Sequence, residues 1–233
     1  MDKRYCAFIA DIIKSSKMDD LERFEAQEQI QSAIDKYNNE YAMNIAAKIS
    51  FSSGDQIQAL FREACTAYEF VCDFREKLYP IEFRFGLGVG NWSLRYPGDN
   101  TNKQDGTSYR NARIAFSYVH KNNTGIALHS GLEKDAIINV LAAHEYAIFN
   151  TQTVSHKEIF KTYKTMYPID PSIKNEYGIS VVFVDKGTQK DVAEKIGVSR
   201  QNISKLVRTG FIYEQRNLQG TIRLLLADLF NED

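Results

Sequence analysis

Two aspartates stand where predicted strands end, and they are the first candidates for chemistry in the sequence. Asp11 closes the β-like run 5–10, and Asp55 follows Gly54 in a tight turn between two strands within 44–61. Gly54 can adopt the positive φ that a two-residue turn needs, which leaves Asp55 exposed at the tip. If the strands are neighbours, both carboxylates meet at one edge of a sheet.

Paired carboxylates on adjacent strands suit Mg²⁺ carrying the phosphates of a nucleotide, because that ion prefers oxygen ligands and keeps company with substrate phosphates. The alternative is that Gly54-Asp55 is only a favourable turn and that Asp11 only caps the next segment. The residue types alone leave both interpretations open.

Cationic residues follow on a predicted helix that begins near Thr107. Arg110 and Arg113 are spaced i, i+3, so they share one helix face and could clamp a phosphate with bidentate geometry. The alternative is a solvated helix face. Arg84, on a predicted strand, fits an ordinary outward-facing position of a half-buried strand.

A helix-turn-helix pattern occupies 188–206 and is the most specific signal in the chain. Gly197 permits a left-handed turn, Ser199 can cap the second helix, and Ile203 and Leu206 pack back onto the first. The side chains then left to face DNA bases and phosphates are Ser199, Arg200, Gln201, Asn202, Lys205 and Arg208. The alternative is a helical pair used only for packing or dimerisation.

The remaining elements must position these residues, and their order predicts an α+β protein. Periodicity predicts helices at 19–41, 63–78, about 107 onward, 132–149 and 155–167, with strands at 5–10, 44–61, 81–89 and 125–129. Strand-helix-strand-strand-helix-strand is the ferredoxin-like βαββαβ arrangement. Glycines at 86, 88 and 90 predict a close approach by another backbone or by a ligand.

The chain is expected to contain a ferredoxin-like domain at 1–150, a connecting helix and linker at 151–186, and a small all-α helix-turn-helix domain at 187–233. The helix at 155–167 has a capping-box start at Ser155. The irregular stretch 91–106 is long for a structureless loop, which indicates either a functional loop or a disordered one. As a functional loop it would fold as a lid over the site of Asp11 and Asp55. A final helix at 218–230 would cover the module or pair with a second subunit.

Composition narrows the classes of function. The 233 residues carry a formal net charge of −1, so nucleic-acid binding would need a local basic patch. The three cysteines lack CxxC spacing and the four histidines lack HxxH spacing, which argues against a disulfide framework and a histidine metal site. No signal peptide or membrane-length apolar run is evident, so a cytoplasmic protein without a membrane partner is expected.

Several short motifs, taken in order, resemble the SatD family of bacterial proteins. They are Asp11 at a strand end, Ser53-Gly54-Asp55 in a hairpin, Arg84-Phe85-Gly86-Leu87-Gly88-Val89-Gly90, and Asp105-Gly106-Thr107-Ser108-Tyr109-Arg110-Asn111-Ala112-Arg113. That family is similar in turn to the palm-like catalytic domain of class III nucleotidyl cyclases and diguanylate cyclases. Each motif is short, and their order and spacing carry the resemblance.

The resemblance implies roles for individual residues. Asp11 and Asp55 match the positions that hold Mg²⁺ or Mn²⁺, and with Arg113 they form the catalytic set of a cyclase. Nucleotide-binding positions would be Ser15, Gly54, Arg110, Asn111 and Arg113. Two departures weaken the case for catalysis: Tyr109 replaces an asparagine of the cyclases, and Gln56 replaces the second acid of the hairpin pair.

The hypothesis favoured by the sequence is therefore a dimeric DNA-binding regulator whose palm-like domain binds or senses a nucleotide. The alternative is a metal-dependent nucleotidyl cyclase or nucleotidyltransferase with an accessory helix-turn-helix.

Overall fold

Five strands and eight α-helices make up the computed structural model, which describes residues 3–94, 104–169 and 188–230. The strands are β1 (Tyr5–Ile12), β2 (Ile45–Ser53), β3 (Gln56–Phe61), β4 (Phe83–Gly90) and β5 (Ile126–His129). The helices are α1 (Asp20–Glu40), α2 (Ala64–Leu78), α3 (Thr107–Asn122), α4 (Asp135–Thr151), α5 (Val154–Met166), α6 (Thr188–Ile196), α7 (Arg200–Thr209) and α8 (Ile212–Asp228). Within the described ranges, no helix is long and apolar enough to cross a membrane.

The strands form one mixed sheet in the spatial order β2-β3-β1-β4-β5. β1 is antiparallel to both β3 and β4, β2 is antiparallel to β3, and β5 is parallel to β4. Along the chain, β1 to β4 with α1 and α2 follow the order βαββαβ, and α3 leads into β5. The protein is thus α+β, as the sequence predicts.

Two compact units are present, one of Met1–Val140 with Leu226–Asp233 and one of Leu141–Leu225. The first contains the whole sheet. The functional boundaries expected at 150 and 187 stay predictions, and the second half of the expected linker lies outside the described residues.

An aromatic core fills the sheet face that carries α1 and α2. Phe8 of β1 meets Phe70 of α2 at 5.1 Å between ring centroids, and Tyr37 of α1 meets Phe70 at 5.5 Å. The rings meet edge to face, which is the favoured geometry for such pairs. Burial of these side chains fixes both helices on that face of the sheet.

The opposite face is covered by α3, and the strand glycines make this possible. A Cβ atom on Gly88 would overlap the backbone nitrogen of Ala112, and one on Gly86 would lie 2.6 Å from the backbone nitrogen of Phe116. Because glycine has no Cβ, the helix backbone can rest directly on β4. Of the two explanations left open by the sequence, a neighbouring backbone is the one found here.

An asparagine side chain closes each outer edge of the sheet. Asn38 of α1 donates to the Ile49 carbonyl and accepts from the Ile49 amide on β2, both at 2.9 Å. Asn139 of α4 makes the same pair of bonds with Leu128 on β5, at 2.9 and 2.7 Å. Each amide therefore satisfies both backbone groups of one edge residue.

The second unit is built on an apolar core between α5, α6 and α7, formed by Ile159, Phe160, Tyr163, Val192, Ala193, Ile203, Val207 and Ile212. A turn of three residues joins α6 to α7, with Gly197 at φ 80°. Ser199 caps α7, because its Oγ accepts from the amide of Asn202 at 3.2 Å. Val207 is buried on α7, while Leu206 is only partly buried.

Several local predictions were wrong. The N-cap of α5 is Thr153 and not Ser155, and His156 takes the reciprocal position of the capping box. The apolar spacing of the helix at 19–41 predicts that Leu21 and Phe24 lie on its buried face, but both side chains are exposed on α1. On α4, Ile137 and Val140 are likewise exposed.

Candidate functional site

The candidate site begins with Asp11, the penultimate residue of β1. Asp11 pairs with Arg84 of β4, and the β1–β3 register that ends at Ala10 and Ile57 places Gln56 on its other side. Directly opposed residues of antiparallel strands point to the same face. Three polar side chains therefore form a row across three strands, with Asp11 in the middle.

Asp55 joins this row from the hairpin turn. β2 ends at Ser53, β3 starts at Gln56, and Gly54 has φ 60°, so the predicted two-residue turn is present. The expectation that Asp55 is exposed at the tip was wrong: its side chain is half-buried and lies close enough to Asp11 to raise the pKa of that residue, after burial itself. Its Oδ2 atom is buried and has no hydrogen-bond partner among the described residues.

Crowding of the two acids changes the titration of Asp11. Burial, and then the charge and hydrogen bond of Asp55, raise the pKa of Asp11, while the Arg84 guanidinium opposes the shift. The Arg84 Nη1 atom lies 4.0 Å from Asp11 Oδ2, so the opposing charge is close but not in ideal contact. The site therefore holds negative charge that the protein only partly neutralises.

This donor set fits one divalent cation of the Mg²⁺ type. Two carboxylates converge, and one of their oxygens is buried without a partner, which is costly unless an ion or a proton meets it. Across the described residues, no group of three or more His, Cys, Asp or Glu side chains could hold a metal. Further ligands would come from water or from phosphate oxygens, as is usual for Mg²⁺.

The predicted α3 residues lie at different distances from this pair. Ser108 lies against Gly90 and Phe116 against Gly86, so later residues of α3 lie nearer to Asp11. Tyr5, the partner of Gly90, precedes Asp11 by six residues, a span of about 20 Å along the strand. The start of α3 is therefore at the opposite end of β4 from the acid pair.

Arg110, near the start of α3, forms an exposed ion pair with Asp105 at 3.7 Å. Asn111 donates its amide to the Val89 carbonyl at 2.7 Å, which ties α3 to the end of β4. Arg113 is exposed and lies one turn further along α3, toward the Asp11 end. Burial raises the pKa of the Tyr109 hydroxyl, and the charge of Arg113 opposes that shift. The structure thus groups Asp11 with Asp55, while Arg110 lies far from both.

The base of the 91–106 loop also lies at that far end. The Asn91 amide donates to Thr107 Oγ1 at 2.7 Å, and the Thr107 amide donates to Asn91 Oδ1 at 2.9 Å. Leu94 and Asp105 then form a bridge between the two arms. The loop leaves the sheet away from Asp11, so its base gives no support to a lid over the acid pair; its tip, 95–103, lies outside the described residues.

Ser15 lies beyond Asp11, in a 3-10 turn of residues Ser15–Lys17 that follows β1. Its side chain is half-buried, and Lys14 before it has φ 63°. The segment directly after Asp11 therefore contains the Ser15 hydroxyl and the two lysines Lys14 and Lys17. Gly54 lies in the hairpin turn beside Asp55.

The cationic face predicted on α7 is solvent-exposed in the structure: Arg200, Gln201, Asn202, Lys205 and Arg208 are all exposed, and so is the cap Ser199. Ile203 on the opposite side is fully buried. These side chains are therefore exposed, as the sequence predicts, and their contact with DNA stays a prediction.

The sequence was compared with models of known protein families. Residues 5–217 match the SatD family. The chain belongs to the SatD family. Comparison with curated proteins gives no match.

Among solved structures, this SatD family chain is similar to a bacterial light-regulated adenylyl cyclase. The sequences are 14% identical with a TM-score of 0.40, over 57% of this chain and 79% of that one. A second similar structure is a microbial GGDEF domain described with bis-(3,5)-cyclic di-GMP. It is 18% identical with a TM-score of 0.36, over 55% of this chain and 76% of that one.

Sequence reasoning missed part of the site in this SatD family chain. Arg84 was interpreted as an ordinary outward residue, yet it lies beside Asp11. Gln56 was noted only as a departure from an acid, although strand register places it directly opposite Asp11. The register of β3 against β1, counted back from the turn, was the signal that could have found it.

Proposed function

We propose that the protein binds a nucleotide through a divalent cation held by Asp11 and Asp55, and that it acts as a regulator that senses the nucleotide. The observation that carries the proposal is the convergence of the two carboxyl groups, with Asp55 Oδ2 buried and without a partner among the described residues. A cation would relieve the repulsion that raises the pKa of Asp11. Phosphate oxygens would complete its coordination.

Equilibrium binding of each nucleoside triphosphate, with Mg²⁺, with Mn²⁺ and with EDTA, tests this proposal. Asp55→Asn should reduce affinity in the presence of metal to the level measured with EDTA. Asp35→Asn, which makes the same chemical change at an exposed position of α1, is the matched control and should bind like the parent. Equal metal-dependent affinity in parent and Asp55→Asn would refute the proposal.

Catalysis as a nucleotidyl cyclase or nucleotidyltransferase is the second candidate, and Arg113 is the residue that favours it. Arg113 stands nearer to the acid pair than Arg110 and is exposed, so it is available to a phosphate. Incubation with each triphosphate and Mn²⁺, followed by separation of products, distinguishes the candidates. Product formation that Arg113→Ala abolishes even at a nucleotide concentration that saturates the variant would establish catalysis. A bound nucleotide that gives no product would leave sensing as the function.

For the second unit we propose that α7 enters the major groove of DNA, with Arg200, Gln201 and Asn202 near base edges and Lys205 and Arg208 on phosphates. Support comes from the burial of Ile203 and Val207, which leaves the polar side chains on the outer face with no acid among them. One such module makes few contacts, so two copies on half-sites about one helical turn apart are expected.

Selection from random duplex DNA at two salt concentrations tests the DNA proposal. Lys205→Ala should weaken binding to all sequences and lower the salt slope by about one unit. Lys161→Ala, on an exposed position of α5, is the control and should leave the slope unchanged. If no sequence is enriched and the Lys205 variant binds like the parent, the two helices serve packing only.

A further inference from the structure

Gln56 lies beside the acid pair, and its side chain is held in one orientation. Ser52 Oγ donates to Gln56 Oε1 at 3.2 Å, and Gln58 Nε2 donates to the same oxygen at 3.1 Å. Gln58 is itself buried, at 6% exposure, so the brace is not a loose surface contact. An amide oxygen with two donors on it fixes where the amide nitrogen of the same group must point.

The amide nitrogen of Gln56 takes no part in this hydrogen-bond network of the described residues. Within the described residues, Nε2 has no hydrogen-bond partner, and the side chain is only half-buried. The β1–β3 register, continued by one residue beyond Ala10 and Ile57, sets Gln56 opposite Asp11, and directly opposed residues of antiparallel strands lie about 5 Å apart at Cβ. The Gln56 side chain therefore starts beside Asp11 on the same face of the sheet. An amide nitrogen is a donor only, so it cannot bind a metal cation but suits an anionic oxygen.

We propose that Gln56 Nε2 donates a hydrogen bond to a phosphate oxygen of the nucleotide whose cation is held by Asp11 and Asp55. This inference rests on the proposed nucleotide function and adds a residue that would recognise the phosphate group. A carboxylate at position 56 would attract a second cation and repel phosphate, whereas the amide does neither. Two carboxylates and one amide therefore favour a single divalent cation with a phosphate group bound to it.

Gln56→Glu is a sharp test, because it keeps an oxygen where Ser52 and Gln58 donate and changes only the outer NH₂ to a carboxylate oxygen. The probes are Mn²⁺ alone, Mn²⁺ with ATP, and Mn²⁺ with tripolyphosphate, which has no base. Gln56→Glu should bind both phosphate ligands about 10- to 100-fold more weakly, the usual worth of a hydrogen bond to a charged group. It should bind Mn²⁺ alone more tightly, read from the free Mn²⁺ signal in electron paramagnetic resonance.

Two further variants separate the causes. Gln56→Met removes the whole amide, the donor nitrogen together with the oxygen that accepts from Ser52 and Gln58, without adding charge. Phosphate ligands should bind about 10-fold more weakly, and Mn²⁺ alone should bind as in the parent. Gln29→Glu adds the same charge at an exposed position of α1 and should change nothing. Thermal unfolding of each variant checks that the hairpin still folds.

The outcomes are distinct. Phosphate affinities equal to the parent in both Gln56 variants would overturn the inference while leaving the proposed function intact, and Gln56 would then only brace the hairpin. A parent chain that binds no phosphate ligand with Mn²⁺ would instead refute the proposed function, and this inference with it. A Gln56→Glu variant that weakens ATP but not tripolyphosphate would also overturn the inference, since the contact would then be to the base or the sugar.

Discussion

The two ends of β4 both carry polar side chains, and they use them in opposite ways. At the Gly90 end, Asn91 and Thr107 bond to each other, Ser108 Oγ donates to the Asn91 carbonyl at 2.9 Å, and Asp105 accepts from the Gly106 amide at 2.7 Å. At the Arg84 end, Asp55 Oδ2 and Arg84 Nε are buried without partners among the described residues.

The difference distinguishes polar side chains that stabilise the fold from polar side chains that are available to a ligand. Polar groups that hydrogen-bond to one another stabilise a chain reversal, and few of their donors and acceptors remain available to a ligand. Buried polar atoms without partners cost free energy, and proteins keep such atoms mainly where something else will bind them. By this criterion the Gly90 end is structural, and the Asp11 end is the candidate site.

The largest effect is expected from Gly88→Ala, which tests whether the Gly90 end is a packing device. The added methyl group would meet the backbone of Ala112, and backbone atoms of a packed helix cannot move aside cheaply. We expect the free energy of unfolding to fall by about 3 kcal/mol, measured by urea denaturation. Gly86→Ala, with its nearest contact at 2.6 Å, should cost less; a Gly88→Ala midpoint equal to the parent's would mean that α3 does not rest on β4.

Asp55→Asn tests whether the Asp11 end is a site maintained at a cost in stability. Without metal, this variant should be more stable than the parent at neutral pH by about 1 kcal/mol, because it removes the charge repelling Asp11. The parent should gain thermal stability on addition of Mn²⁺, and the variant should not. A variant less stable than the parent without metal would show that the pair is structural.

The same repulsion predicts a pH dependence for the parent without metal. Burial and Asp55 raise the folded-state pKa of Asp11 above the unfolded value near 3.8, so the folded chain favours the protonated form. Stability from this group is therefore full below that value and is lost as the pH rises through the folded pKa. Urea denaturation between pH 4 and pH 7 should show this loss, reduced in Asp55→Asn; equal pH profiles would contradict it.

Thr107→Val tests the closed network at the other end with a smaller change. It deletes the hydroxyl that accepts from the Asn91 amide and donates to Asn91 Oδ1 at 3.0 Å. The free energy of unfolding should fall by about 1–2 kcal/mol, and nucleotide affinity should not change. Weaker nucleotide binding in a fully folded Thr107→Val variant would assign this end to the site after all.

Arg110→Ala should have the smallest effect. Its ion pair with Asp105 is exposed, and such pairs contribute about 0–1 kcal/mol. We expect stability and nucleotide affinity within error of the parent, and a larger loss of nucleotide affinity in Arg113→Ala. Calorimetric titration of both variants checks the order, and the reverse order would show that the ligand extends along α3 toward its start.

Sequence patterns predicted which backbone elements carry the two acids of the candidate site, because strand ends and turns have strong local signals. Asp11 at the end of β1 and the Gly54-Asp55 turn needed only alternation and a glycine. What the patterns could not give was the direction of each side chain. Whether Asp55 faces solvent or Asp11 depends on the packing of β1 against β3, which no local signal states.

Apolar spacing was a poorer guide to helix faces. Leu21, Phe24, Ile137 and Val140 fit the period of a buried stripe, but each helix buries a neighbouring stripe instead. The start of α8 was missed for a different reason. The turn before it is made by Phe211 at φ 52°, and a phenylalanine carries no turn signal.

The paired amides of Asn38 and Asn139 bear on how this chain can meet others. A sheet edge with free backbone groups can accept a further strand, which is one route to joint sheets and to fibrils. Here a strand arriving at the middle of β2 or β5 would first have to displace an asparagine that satisfies both groups of Ile49 or Leu128. Each asparagine therefore protects its edge strand against pairing with another strand at that residue.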